Sequence, residues 1–222
     1  MIMRLPGWVL LYAWILAFMA GIINVVGYMS FEHQGITHLT GTTSMLGSAI
    51  ADADVTSIVH LLCIIGSFFL GAVVSGTIIG DSTLRLGRRY GVALLIESLL
   101  LVLAVHFLEQ QSPFGIYLAG AACGLQNAMA STFSGTVIRT SHVTGMFTDL
   151  GIFLGHYMRG LAIERRRLGL SLVVISGFLV GGIIGAYGFK QWHYSVLYLP
   201  AAIATALAVV YGFYRRNNPP IA

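Results

Sequence analysis

The stretch His38-Leu39-Thr40-Gly41-Thr42-Thr43-Ser44-Met45-Leu46-Gly47 returns 104 positions later as His142-Val143-Thr144-Gly145-Met146-Phe147-Thr148-Asp149-Leu150-Gly151. The two share a His-x-Thr-Gly start, a hydroxyl at Ser44 and Thr148, a leucine at Leu46 and Leu150, and a glycine at Gly47 and Gly151. Upstream, Gly21-Ile22-Ile23-Asn24 corresponds to Gly124-Leu125-Gln126-Asn127 at an offset of 103. Downstream, Ser67, Phe68, Gly71 and Ser75 correspond to Gly177, Phe178, Gly181 and Gly185 at an offset of 110. Three matches in one order, drifting across an insertion at residues 164–167, describe a tandem duplication of a unit of roughly 105 residues.

Around these segments the chain is apolar in long unbroken runs, such as residues 8–28 and 57–80. Each reaches the ~20 residues that cross a hydrocarbon layer of ~30 Å. Hydrophobic side chains make up 57% and charged ones 9%, roughly a third of the charge that a soluble domain carries. A soluble fold cannot keep six such runs from water, so the chain is expected in a membrane as one domain over residues 1–222. The net charge of +4 comes from short basic clusters at helix ends, which suits membrane anchoring and not nucleic acid. Cys63 and Cys123 lie inside apolar runs and read as packed core residues. No phosphate loop, Cys-x-x-Cys, His-Glu-x-x-His or nucleotide fingerprint is present, so neither an enzyme, a metal nor a cofactor is expected.

Six full spans are expected, at about 8–30, 57–80, 90–108, 114–132, 168–188 and 194–214, with 40–51 and 143–160 as helices that do not cross. With the N-terminus inside, Arg4, Arg85, Arg88, Arg89, Arg139, Arg159, Arg165, Arg166, Arg167, Arg215 and Arg216 fall on the cytoplasmic side, and of the 12 basic residues Lys190 alone falls outside. Three spans per repeat is an odd number, so the expectation is an all-α membrane fold of two inverted three-helix repeats, about 8–109 and 114–216. Each repeat would carry one re-entrant half-helix. The location implied is the bacterial inner membrane, multi-pass, with both termini cytoplasmic.

Two half-helix N-termini brought together by inverted symmetry would make a site for a small polar, anionic solute, because unpaired N–H groups and the helix dipole gather there. Thr40 and Thr144 stand where N-caps would, and Gly41 and Gly145 allow close approach. His38 and His142 precede them symmetrically and could hydrogen-bond the ligand. Asn24, Gln126 and Asn127 could line the same site or serve as hydrogen-bonding glue between helices. Glu97 is the one carboxylate in the middle of a full span and is a candidate for proton coupling. Asp149, one turn into the second short helix, is either a second such candidate or a charge that stabilises the helix start. The small residues at 67, 71 and 75 and at 177, 181 and 185 read as packing seams.

Gly124-Leu125-Gln126-Asn127, Thr40-Gly41-Thr42 and Arg139-Thr140-Ser141-His142-Val143-Thr144-Gly145 resemble the YoaK-type bacterial membrane proteins, and the resemblance spans nearly the whole chain. That family usually carries Asp-Ala after its first glycine region, where this chain has Asn24-Val25, so a proton or cation role is not carried over to that position. The resemblance implies a bacterial inner-membrane protein and no particular substrate. The expected function is a small secondary transporter or channel in the lipid bilayer, with a homodimer left open. The alternative is a non-transporting scaffold that organises partners and uses the dips only for packing.

Overall fold

The computed structural model describes residues 7–79, 89–134, 139–162 and 164–217, and all regular structure in them is helical. The elements are α1 (Gly7–Met29), α2 (Leu39–Ala51), α3 (Val55–Ile79), α4 (Arg89–Glu109), α5 (Phe114–Ser134), α6 (Val143–Met158), α7 (Arg165–Trp192) and α8 (Tyr198–Asn217). A 3₁₀ turn, His193–Leu197, joins the last two.

The expectation of six spans with two re-entrant half-helices is overturned. Among the described residues four helical stretches are long and apolar enough to cross a membrane: Gly7–Met29, Val55–Ile79, Arg89–Glu109 and Arg165–Phe213. The last is one run of 49 residues, because the 3₁₀ turn follows α7 and leads into α8 without a gap in the helical structure. The expected span at 114–132 falls away because Gln126, Asn127, Ser131 and Thr132 break up the apolar character of α5. The two short helices fail as re-entrant elements for a separate reason. A half-helix at membrane depth has to be wrapped by protein on all sides. Yet α2 buries only Thr42 and Ala49, and α6 only Met146 and Phe153. Each lies on one long helix, α2 on α3 and α6 on α7, with no contact between α2 and α6 among the described residues.

Helix α1 forms the centre. Leu16, Ala17, Met19, Ala20, Ile22 and Ile23 are all buried, so its middle is enclosed by the other helices. Helix α3 instead turns Leu62, Phe69, Leu70 and Val73 outward, where lipid and not water is the natural neighbour. Helix α1 packs along α7, α3 along α5, and α4 against α5 and α8, so the two halves interlock crosswise. Equivalent residues meet equivalent partners at these crossings. A Cβ at Gly124 would collide with the carbonyl of Phe68, and one at Gly21 with the carbonyl of Phe178. Close backbone approach, with dispersion instead of a hydrophobic drive, is how helices associate in lipid.

The turn between α2 and α3 is set by Asp52-Ala53-Asp54. Ala53 takes φ 54°, and Asp54 then caps α3, its carboxylate accepting from Ser57 N at 3.2 Å and Ser57 Oγ at 2.6 Å. These bonds hold the Asp54 carboxyl below its ordinary range.

Candidate functional site

The asparagines of the repeat and the polar segments before the short helices are brought together within each half, while Gln126 and the repeat glycines make their contacts between halves. Near the end of α1, the Asn24 Oδ1 accepts from Thr37 N at 3.1 Å and from Thr37 Oγ1 at 2.9 Å. In α5, the Asn127 Oδ1 accepts from Thr140 Oγ1 at 2.8 Å while its Nδ2 donates to Ser141 Oγ at 2.6 Å. Each asparagine thus pins the polar segment ahead of the next short helix. Thr37 and Thr140 are buried and were missed in the sequence, although their offset of 103 equals that of the two asparagines. An amide satisfying a buried hydroxyl is an ordinary requirement of the interior.

The cap positions fall on His38 and His142, two residues earlier than expected, and neither makes a side-chain cap hydrogen bond. Each imidazole folds over the first turn. A Cβ at Gly41 would come within 2.6 Å of the His38 Nδ1, and one at Gly145 within 2.5 Å of the His142 ring. Room for the histidine ring in this rotamer is therefore one physical reason for glycine in His-x-Thr-Gly. Thr40 and Thr144 are exposed, and their carbonyls accept from Ser44 Oγ at 3.0 Å and Thr148 Oγ1 at 3.1 Å. The Gln126 amide is buried and donates to the Leu16 carbonyl at 2.8 Å, which ties α5 to α1. Asp149 lies 4.0 Å from Arg167, a partly exposed pair that contributes little to stability.

Glu97 stands apart from all of these. It is 0% exposed, and neither carboxyl oxygen has a hydrogen-bond partner. Helical spacing puts it on the face of α4 that carries Tyr90, Leu94 and Leu101, all buried. Its neighbour Ser98 is satisfied, bonding to the Ala201 carbonyl at 2.9 Å and to Thr205 Oγ1 at 2.8 Å across the α4/α8 contact. Tyr90 and Leu94 also line a cavity of about 460 Å³ between α1, α4 and α8, together with Trp8, Tyr12, Leu207, Val210 and Tyr211. The Glu97 carboxylate is within electrostatic reach of the Tyr12 phenol on that wall.

A second polar group lies at the α2/α3 end. His60 lies in the second turn of α3. In the structure its Nε2 is 2.8 Å from Glu32 Oε2 and its Nδ1 2.8 Å from the Tyr117 hydroxyl. It borders a polar cavity of about 300 Å³ with Gln34, Ser48, Asp52, Asp54 and Ser57. No sequence signal links residues 32, 60 and 117, because each comes from a different element. Among the described residues no group of three His, Cys, Asp or Glu gathers to hold a metal.

Residues 12–210 match the family model described as "Protein of unknown function (DUF1275)". The chain is also 22% identical over 200 residues to the UPF0700 transmembrane protein YoaK of Bacillus subtilis (strain 168), across 85% of this chain and 88% of that protein. No solved structure matches. With long apolar helices interlocked by glycine contacts and a family match running through nearly all of them, the chain belongs to the DUF1275 family of multi-pass bacterial membrane proteins.

Proposed function

We propose that the chain is a small proton-coupled transporter of the bacterial inner membrane, with Glu97 as the group that exchanges a proton for the solute. One observation carries this reading: a carboxyl group without a hydrogen-bond partner, wholly buried on the stripe of a long apolar helix whose Tyr90 and Leu94 line a cavity. Such a group is expensive in a membrane and marks an ion or substrate path. Glue between helices would be hydrogen-bonded, as Gln126 and Ser98 are. A scaffold, the alternative, has no use for an unsatisfied interior acid.

The exchange is simple to balance. Empty, Glu97 holds a proton and is neutral. On solute entry the proton leaves the carboxyl for the aqueous side, and the carboxylate faces the solute. A negative group of this kind favours a cationic or proton-donating solute. The anionic preference expected from paired helix N-termini has no such support, since α2 and α6 do not touch and Thr40 and Thr144 are exposed. The basic residues nearest the two ends, Arg4 with Arg215 and Arg216, favour both termini on the cytoplasmic side.

Purified protein in liposomes with an imposed proton gradient tests the reading. Candidate solutes should dissipate the gradient, and Glu97→Gln should abolish that response while the protein stays folded. Equal proton movement with Glu97→Gln, or none with any solute class, would overturn it. Impermeant thiol reagents should fail to reach a cysteine placed at the C-terminus of intact cells.

A further inference from the structure

We infer that the cavity between α1, α4 and α8 binds a lipophilic organic cation, held by aromatic faces with Glu97 as its counter-charge. The assignment names a substrate class for the transport reading above and rests on it for the exchange of a proton. The binding itself can be measured without transport.

The chemistry of the walls selects the ligand. Among the described residues the lining is Trp8 and Tyr12 of α1, Tyr90 and Leu94 of α4, and Leu207, Val210 and Tyr211 of α8. Four of these seven side chains are aromatic, and no Lys or Arg is among them. The face of a Trp or Tyr ring attracts a cation, most strongly where water is excluded. A volume of about 460 Å³ falls in the range of cavities that enclose a small organic molecule. A hard metal cation is a poor fit, because it asks for about six oxygen ligands and this wall offers only phenols. An anion would meet the negative faces of the rings with a carboxylate behind them.

The position of Glu97 supplies the charge. It follows Tyr90 by seven residues and Leu94 by three, so it continues the cavity-lining stripe of α4 into the bundle. Both its oxygens are buried without a hydrogen-bond partner. The groups within its electrostatic reach on the elements packed around it are Tyr12 of α1 and Cys123 of α5. Tyr12 in turn is within electrostatic reach of Tyr90 and Tyr211. All four are neutral when protonated, so among the described residues no cation competes for the carboxylate. The mouth opens towards the lipid-facing surface, where Trp8 is 50% and Val210 65% exposed. A solute arriving from the bilayer has to be lipophilic to enter there.

Full-length protein in detergent is titrated with tetraphenylphosphonium and with tetraphenylborate, an anion of nearly the same shape. Binding is followed by equilibrium dialysis and by tryptophan fluorescence. The cation should bind at least about tenfold more tightly than the anion, and release a proton as it binds. Glu97→Gln should weaken the cation by about tenfold or more and leave the anion unchanged, and Tyr12→Leu should weaken the cation about fivefold. Equal binding of both ions, displaced by added lipid, would make the cavity an acyl-chain groove and overturn the assignment. Cation binding unaltered by Glu97→Gln, or absent from the folded native protein, would overturn it as well. Should Glu97→Gln not fold, the comparison of the two ions on the native sequence still decides. Cation binding without flux supports this site and sinks only the transport reading. Flux of other solutes without cation binding does the reverse.

Discussion

Replacing Glu97 with methionine should make the protein more stable and inactive at the same time. The carboxyl is 0% exposed with both oxygens unsatisfied, so the folded state bears a desolvation cost that no bond offsets. A buried polar group left without a partner costs ~1–3 kcal/mol. Methionine keeps the unbranched shape and volume and removes that cost, while its thioether packs against the neighbouring rings. A gain of ~1–3 kcal/mol corresponds to a rise of roughly 2–12 °C in unfolding midpoint for a chain of this size. Glu97→Gln is the control: the amide stays unsatisfied, so the midpoint should move by under about 1 °C. The assay is thermal unfolding of detergent-purified protein, run beside the liposome flux measurement. A lower midpoint for Glu97→Met would mean that the carboxyl has a stabilising partner, and the argument for a functional acid would fail. Stability gained as activity is lost is the expected signature of a group retained for function.

Three further outcomes follow from the packing. Gly124→Val and Gly21→Val should each abolish recovery of folded protein by size-exclusion chromatography, because the new side chain meets a backbone carbonyl that cannot yield. Tolerance of either would disprove the close crossings of α3 with α5 and α1 with α7. Asn127→Ala should lower stability by ~1–3 kcal/mol by orphaning the buried Thr140 hydroxyl, and Asn24→Ala by a similar amount through Thr37. A loss confined to one half would contradict the shared role. Asp54 has its carboxyl lowered by Ser57, so its cap stabilises the fold above the unfolded-state value and fades as pH falls through the lower folded value. Asp54→Asn should therefore flatten the acid limb of the stability profile, and an unchanged limb would refute the cap.

Much of the candidate site was legible only in outline. The repeat of His-x-Thr-Gly, Asn24 and Asn127 was visible in the chain, and each of these does occupy a matched place in its own half. Their meaning was not visible. The glycines make room for the His38 and His142 rings, and the asparagines fasten Thr37 and Thr140. Glu97 could be suspected from its apolar surroundings alone, but the aromatic cavity beside it comes from three helices far apart in sequence. The Glu32–His60–Tyr117 group was out of reach for the same reason.

Composition and the length of apolar runs determined by themselves that this is a helical membrane protein, because burying so much apolar surface without polar alternation leaves no soluble alternative. The internal matches likewise determined which positions would play equivalent parts. Tertiary structure alone decided the count of long apolar helices, the crosswise pairing of α1 with α7 and α3 with α5, and the placing of α2 and α6 against single neighbours. The physical reason lies in the driving force. Hydrophobicity reports how readily a segment leaves water, and it is the same for every face of an apolar helix. Which face meets which partner depends on backbone approach at glycines and on a few buried polar groups, and these contacts exist only when the helices are already side by side.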